Sequence, residues 1–351
     1  MPEPPFVSVV IPMRNESGFI DRCLDSIFAQ EYPSGRFEVI VVDGDSDDDS
    51  PAVLAGYVAR YGERMRVFLN PKRIVPPAMN IGIRAARGSV IMRVDAHTTL
   101  DPAYMRTGVE VLQRTGADNV GGPMHAVGGG KLANAIAAAM GSRFGIGAYF
   151  HFGTEEREVD TVYLGMYPRA VLARIGLYDE ELVRNQDDEL NYRLRKAGGR
   201  VVLTPGMRSW YQNRTSVKKL ARQFYQYGLW KVRVLQKHPR QMSARQFVPP
   251  TFVASLLGTG LLAPFWSVAA WVFAAALGSY LTACGVAAVL VARREGWDLL
   301  PGVFLAFVTM HVSWGWGFLR GLVRFAPHWF RAEAPVPQLA DGDSPARPSR
   351  D

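Results

Sequence analysis

The stretch VIMRVDAH (90–97) begins as an apolar strand and stops on an acid, a small residue and a histidine. Asp95 and His97 alternate along an extended chain, so both can point the same way from a strand end. A carboxylate and an imidazole placed so can share a divalent ion, with a substrate diphosphate completing its shell. The plainer reading of so short a motif is a salt bridge or a helix cap. The residues around it bear on the choice.

Three further apolar runs precede it: VSVVIP (7–12), FEVIVVDG (37–44) and MRVFLN (65–70). Between them, residues 17–30, 51–61 and 76–87 repeat their apolar positions at helical spacing. Strands apolar on both faces, separated by amphipathic helices, predict an α/β fold: a mostly parallel sheet covered by helices on both faces. Such sheets bind ligands beyond the carboxyl ends of their strands. Three strand ends carry chemistry, PMRNE, DGDSDDD and DAH, and are expected to meet at one crevice. Residues 121–165 are glycine-rich, and 121–142 suggest a loop followed by a small-residue helix. NQDDELNYRLRKAGG (185–199) reads as a helix with acids in its first turn, and RVVLTP after it as a strand.

Beyond Glu189 the charge pattern changes. No acid occurs over 190–294, and 208–245 holds ten Lys or Arg with aromatics between them, as in LARQFYQYGLWKVRVL. That pattern predicts an amphipathic helix on an anionic membrane face. Residues 246–292 carry no charge, a run long enough for two spans of ~20 residues with a break near Pro264. Residues 299–319 form a third uncharged run, and the Pro-, Ala- and Asp-rich tail is expected to be disordered. The expected division is therefore 1–207 as the sheet domain, 208–245 as a basic interface segment, 246–325 as a transmembrane region of two to three helices and 326–351 as a tail.

The net charge of +8 admits nucleic acid, a membrane surface or an acidic small molecule as partner. Nucleic acid is disfavoured because the basic stretch runs straight into apolar spans. The two cysteines, Cys23 and Cys284, give no disulfide framework, and the N-terminus has no signal-peptide pattern. There is no P-loop, GxGxxG, GxSxG or zinc spacing, which removes the usual support for kinase, dehydrogenase and serine-hydrolase readings.

Single residues remain open at this point. Asp43 follows a buried strand and can accept from a base N–H or a ribose hydroxyl, whereas Asp47, Asp48 and Asp49 suit a solvated turn. Asp187 and Asp188 are either helix-capping acids or a general base for a hydroxyl. Lys72 and Arg73 can contact a nucleotide or do nothing specific.

Taken together, VSVVIPMRNES, EVIVVDGDSDD, MNIGIRAARGSVIMRVDAH and GLYDEELVRNQDDELNYRLRKAGGRV, in that order, resemble family 2 glycosyltransferases of the GT-A fold. RVDAH, NQDDELNYRL and RQFYQYGLWKVRVLQKHP are most similar to the succinoglycan-biosynthesis ExoA branch of that family. The resemblance covers roughly residues 6–235. It implies that Pro12, Arg14 and Glu16 hold the nucleotide's base and ribose and that Asp43 contacts the base; Arg73, by its place just after the third strand, is counted with them. Asp95 and His97 match the family's Asp-x-Asp, which binds Mg²⁺ or Mn²⁺ and the donor diphosphate; His in the second place favours Mn²⁺. Asp187 matches the family's base, with Gln186 in the place of the preceding Glu, and Asp188 stands one residue away. The Gln-x-x-Arg-Trp of processive synthases has no match in QFYQYGLW (223–230).

The implied function is a multi-pass enzyme of the inner (cytoplasmic) membrane with its catalytic domain in the cytoplasm. It would move a hexose, with inversion, from a nucleotide-diphosphate sugar such as a UDP-hexose to a polyprenyl-diphosphate-linked saccharide. Its setting would be exopolysaccharide or other cell-surface glycan synthesis beside other polysaccharide-assembly enzymes. The alternatives are a polyprenyl-phosphate sugar synthase, with Arg208 or Arg214 taking the lipid phosphate, and a membrane scaffold with a degenerate transferase domain.

Overall fold

A computed structural model describes residues 3–127, 129–146, 149–151, 153–212, 216–330 and 334–339. The chain forms two compact units that interleave in sequence. One comprises residues 1–125, 152–211 and 335–351, the other 126–151 and 212–334. Cutting the sequence at residue 207 does not express this interleaving, because 126–151 belongs with the C-terminal helices.

The first unit opens with β1 (Val7–Met13), α1 (Ile20–Phe28), β2 (Phe37–Asp43), α2 (Ser50–Tyr61), β3 (Met65–Leu69), α3 (Val75–Ala85) and β4 (Val90–Arg93). These elements match the apolar runs and helical stripes of the sequence. The first four strands pair in parallel, in the order β3-β2-β1-β4. Every residue of β1, β2 and β4 is buried, as a strand covered on both faces requires. β3 lies at the sheet edge and shows Val67 and Leu69 to solvent.

Beyond β4 come β5 (Thr98–Leu100), α4 (Tyr104–Thr115), β6 (Asn119–Gly122), β7 (Met124–Val127), α5 (Lys131–Met140) and the two-residue β8 (Arg157–Glu158). Then follow β9 (Tyr163–Pro168), α6 (Arg169–Ile175), α7 (Gln186–Lys196), β10 (Val201–Leu203) and β11 (Ser209–Gln212). The eight-stranded sheet continues as β4-β9-β6-β10-β8, and β9 runs antiparallel to both of its neighbours. A small sheet of β5, β11 and β7 stands apart. Glycines hid β6 from the periodicity. A Cβ on Gly122 would lie 1.6 Å from the Met207 carbonyl oxygen, so the strand carries glycine where another backbone crosses it.

At the amino ends of the strands, Glu38 is 2% exposed and makes three close bonds. It accepts from Ser8 Oγ, the Arg87 N–H and Arg66 Nη2, each at 2.7 Å. This network closes the edge of the sheet opposite the strand ends that carry the chemistry.

In the second unit, α5 is joined by α8 (Val217–Lys237), α9 (Val248–Leu262), α10 (Ser267–Glu295) and α11 (Leu300–Arg324). The apolar face of α8, Leu220, Phe224, Leu229, Val232 and Val234, is buried, and Gly228 meets the Trp314 carbonyl of α11 while Gly317 and Gly321 meet Tyr225 and Leu229. Small residues let the two backbones touch. The expectation that this face lies on a membrane is thereby corrected: it is spent on α11. Lys231 and Arg233 are also buried, bonded to Gln241 and Gln236, while Lys218, Lys219 and Arg222 stay exposed.

The 47-residue uncharged run (246–292) does not give two full spans. α9 has 15 residues, about 22 Å of helix against a ~30 Å hydrocarbon core. Among the described residues two helices are long and apolar enough to cross a membrane, Ser267–Glu295 and Trp297–Arg324. The tail differs from expectation where it is described. Its Pro337 and Gln338 carbonyls accept from the Leu177 N–H and Arg84 Nη2 at 2.8 and 2.7 Å; residues 331–333 and 340–351 lie outside the described residues.

Glu38→Ala removes an acceptor from a guanidinium, a hydroxyl and an N–H at once. It is expected to cost about 3 kcal/mol and to lower the melting temperature of the purified protein by several degrees. Glu38→Gln, which still accepts, is expected to fall between it and the parent.

Candidate active site

Register brings the strand ends level. Met13 pairs with Asp43, Asp43 with Leu69, and the Val94 N–H donates to the Val10 carbonyl, so β1, β2 and β4 finish at one edge. The residues singled out from the sequence fall there in two groups.

The first group surrounds the end of β2. Pro12 is buried and Arg14 exposed. Asp43, 8% exposed, accepts at Oδ1 from Ser46 Oγ and at Oδ2 from the Ser46 N–H (3.2 Å), which closes the turn after the strand. A Cβ on Gly44 would lie 3.2 Å from that of Arg14 and 3.4 Å from Arg73 Cα, so these backbones converge. Arg73 pairs with Asp45 across an exposed loop, and both residues take positive φ. Lys72 is tied at 2.6 Å to Glu180. Asp47 and Asp48 do more than face solvent. Asp47 bonds Asn15, and Asp48 accepts from the N–H groups of Ser17 and Ser50, which fastens the loop after β1 to the start of α2.

The second group surrounds the end of β4. The strand stops at Arg93, and Asp95–Ala96–His97–Thr98 is a turn closed by the Thr98 N–H on the Asp95 carbonyl at 3.0 Å. Asp95 and His97 thus sit on a turn, where the sequence suggested an extended strand end. They face different partners. Asp95 Oδ1 accepts from Arg93 Nε at 2.9 Å, and His97 Nδ1 stands 3.1 Å from Glu16 Oε1. Glu16 is therefore beside the imidazole.

Arg93 was not singled out by sequence reasoning, although a charge inside VIMRV signals that a partner must come to it. It is 6% exposed and bonds Asp95 with one edge while Nη1 pairs with Asp187 Oδ1. Asp187 lies in the first turn of α7, after Asn185 in left-handed conformation. Its carboxylate turns to Arg93, and the N-cap residue Asn185 makes no capping bond with its side chain. Asp188 is half-buried beside it. Gln186 is buried, as is Glu189, which is gripped by Arg193 at 2.6 Å.

The electrostatics separate the two acids that share Arg93. Burial works to raise the Asp95 carboxyl, but Arg93, His97 and Arg184 together hold it below the ordinary value. For Asp187 burial prevails over the pull of Arg93, with the Asp95 charge adding to it, and its carboxyl lies above the ordinary value. Arg93 itself stays charged, kept so against burial by Asp187 and Asp95.

The donor set fits a divalent cation in part. Asp95 is ionised with one oxygen on Arg93, and His97, bonded through Nδ1, keeps Nε2 for a ligand. Among the described residues no three His, Cys, Asp or Glu side chains gather to hold a metal by themselves. A cation here needs oxygens from its substrate. Of the residues weighed for a lipid phosphate, Arg208 lies 3.6 Å from Asp101 and is well exposed, and Arg214 lies outside the described residues.

The sequence model of Glycosyl transferase family 2 matches residues 8–176. The chain is 30% identical over 320 residues to succinoglycan biosynthesis protein ExoA of Rhizobium meliloti (strain 1021), covering 90% of this chain and 95% of that one. It is 28% identical, over 66% of its length and 74% of the relative's, to a dolichyl N-acetyl-alpha-D-glucosaminyl phosphate 3-beta-D-2,3-diacetamido-2,3-dideoxy-beta-D-glucuronosyltransferase of Methanococcus voltae. In fold it is similar to the mannosyltransferase PcManGT of Pyrobaculum calidifontis, solved with GDP-Man and Mn²⁺: TM-score 0.57, 20% identity, 92% of this chain and 88% of that one. The sheet is the GT-A type, and the chain belongs to glycosyltransferase family 2.

Proposed function

We propose that this glycosyltransferase moves a hexose from a nucleotide-diphosphate sugar, in the first place a UDP-hexose, to a saccharide on a polyprenyl-diphosphate carrier, with inversion. The observation that carries the reading is that one buried guanidinium, Arg93, gathers the strand-end acid Asp95 and the helix acid Asp187. An acid suited to the donor and an acid suited to the acceptor are thereby held side by side. The methanogen relative acts, by its name, on a dolichyl-phosphate-linked sugar, which supports a lipid-linked acceptor here.

Asp95 and His97 would hold the divalent ion, Mn²⁺ or Mg²⁺, which neutralises charge on the departing diphosphate. Pro12, Arg14, Asp43 and Arg73 would receive the nucleoside at the end of β2. Asp187 would take the proton of the acceptor hydroxyl as that oxygen bonds to the anomeric carbon and the bond to the diphosphate breaks. A carboxyl raised by burial is the better proton acceptor of the two. The raised Asp187 also sets a direction for pH: the acid limb of the kcat profile is expected above the ordinary aspartate range, with activity lost as pH falls through it.

α10 and α11 would associate the enzyme with the membrane that carries such an acceptor. The full-length protein is expected to stay in the membrane pellet through high-salt and carbonate washes and to need detergent. Release by salt alone would reassign it to surface binding.

The substrate reading is tested by nucleotide release from a panel of UDP-, GDP- and dTDP-sugars on washed membranes, with Mn²⁺, Mg²⁺ or chelator. Asp187→Asn is expected to lower kcat by ~10²-fold or more and to leave donor affinity intact. Asp95→Asn is expected to abolish turnover and weaken the donor, and Asp188→Asn to be the mildest of the three. Loss of turnover in Asp188→Asn with Asp187→Asn active would move the base by one residue.

A further inference from the structure

His97 is where the strand-end motif departs from a pair of acids, and its ring is held from two sides. Nδ1 meets Glu16 Oε1 at 3.1 Å, with the two side chains 22% and 21% exposed. A carboxylate only accepts, so Nδ1 carries a proton and donates it, and in the neutral ring that a cation requires Nε2 is the nitrogen with the lone pair. The ring of Tyr211 meets the imidazole edge-on at 4.9 Å. Tyr211 is braced in turn by Tyr163, whose hydroxyl bonds Thr98 Oγ1 at 2.7 Å. Glu16 is itself fixed. Its N–H donates to Ser50 Oγ at 3.0 Å, and its carbonyl accepts from the N–H groups of Phe19 and Ile20 at 2.9 Å as α1 begins.

We infer that Glu16 is a positioning residue for His97: it fixes the imidazole as its Nδ1–H tautomer and leaves Nε2 for the cation that Asp95 shares. The inference rests on the metal reading above. It moves Glu16 from the nucleoside, where the family resemblance put it, to the cation. The reason lies in the chemistry of the substitution. A carboxylate in the second place of the motif binds a cation through either oxygen and needs no orienting partner. An imidazole has one lone pair, on whichever nitrogen is unprotonated, so it needs an acceptor at the other nitrogen to choose the tautomer and hold the ring. Glu16 is the group in hydrogen-bond reach of Nδ1 that supplies it.

The test is Mn²⁺ titration of the detergent-solubilised full-length protein, read by the free Mn²⁺ EPR signal, with UDP present and in a parallel series GDP. Glu16→Ala is expected to weaken Mn²⁺ binding by about 10- to 100-fold. Glu16→Gln, whose amide oxygen still accepts from Nδ1–H, is expected to lose less. In a His97→Asp background, which restores two carboxylates, Glu16→Ala is expected to leave Mn²⁺ affinity unchanged. Nucleotide affinity measured without metal is expected to be the same in all variants, and thermal melts identify any that unfold. Equal loss in both backgrounds overturns the inference. So does a Glu16→Ala protein that keeps Mn²⁺ affinity, or one that loses metal-free nucleotide affinity. A parent protein that binds no Mn²⁺ in either series overturns the metal reading and the inference with it.

Discussion

The Arg93 guanidinium is the constraint on which this edge of the sheet depends. It lies inside a strand whose neighbours are Val90, Ile91, Met92 and Val94, where a charge is tolerated only if paired and hydrogen-bonded. An arginine cannot discharge itself by giving up a proton, so carboxylates must be brought to it. One comes from two residues along the same strand end, the other from a helix 94 residues away. The fork of Arg93 thereby sets where α7 begins relative to β4, and with it where Asp187 stands. Counting the side chains in direct contact, Asp95, Asp187 and Glu16 face one guanidinium and one imidazole. That excess of acid suits a site whose further partner is a cation.

What the sequence made legible was local. β1 to β4 and the helices between them follow from continuous apolar runs and helical stripes, because each element is decided by its own dozen residues. The crevice at the strand ends follows from parallel pairing alone. What stayed hidden needed partners distant in the chain. Nothing near Glu16 announces that its carboxylate belongs to His97, 81 residues on. β9, a six-residue run with Gly165 inside it, inserts antiparallel between β4 and β6. The bland reading of the acids after β2 was too bland for Asp47 and Asp48, which bind the loop after β1.

The helical unit shows the same limit in another form. Composition gave α8 a basic, amphipathic character, and that much is correct. It could not say what the apolar face covers. The glycines Gly228, Gly317 and Gly321 answer this, since they let α8 and α11 meet backbone to backbone. The two apolar helices consequently differ in what they leave open: α10 is the less buried of the two. Of the two, α10 has the greater apolar surface to cover, with Trp271 76% exposed near its start.

The sharing of Arg93 has a consequence for tuning. Asp95 and Asp187 sit on one guanidinium, yet their carboxyls move in opposite directions from the ordinary value. Burial opposes both charges; the difference arises because Asp95 also feels His97 and Arg184, whereas Asp187 has the Asp95 charge against it. Charge withdrawn from Asp95 by any ligand removes its repulsion of Asp187 and lets the pull of Arg93 count for more; charge returned to Asp95 restores that repulsion. The proposed donor acid and the proposed base therefore cannot be adjusted independently. A substitution at either is read partly at the other, through a residue that need touch neither substrate.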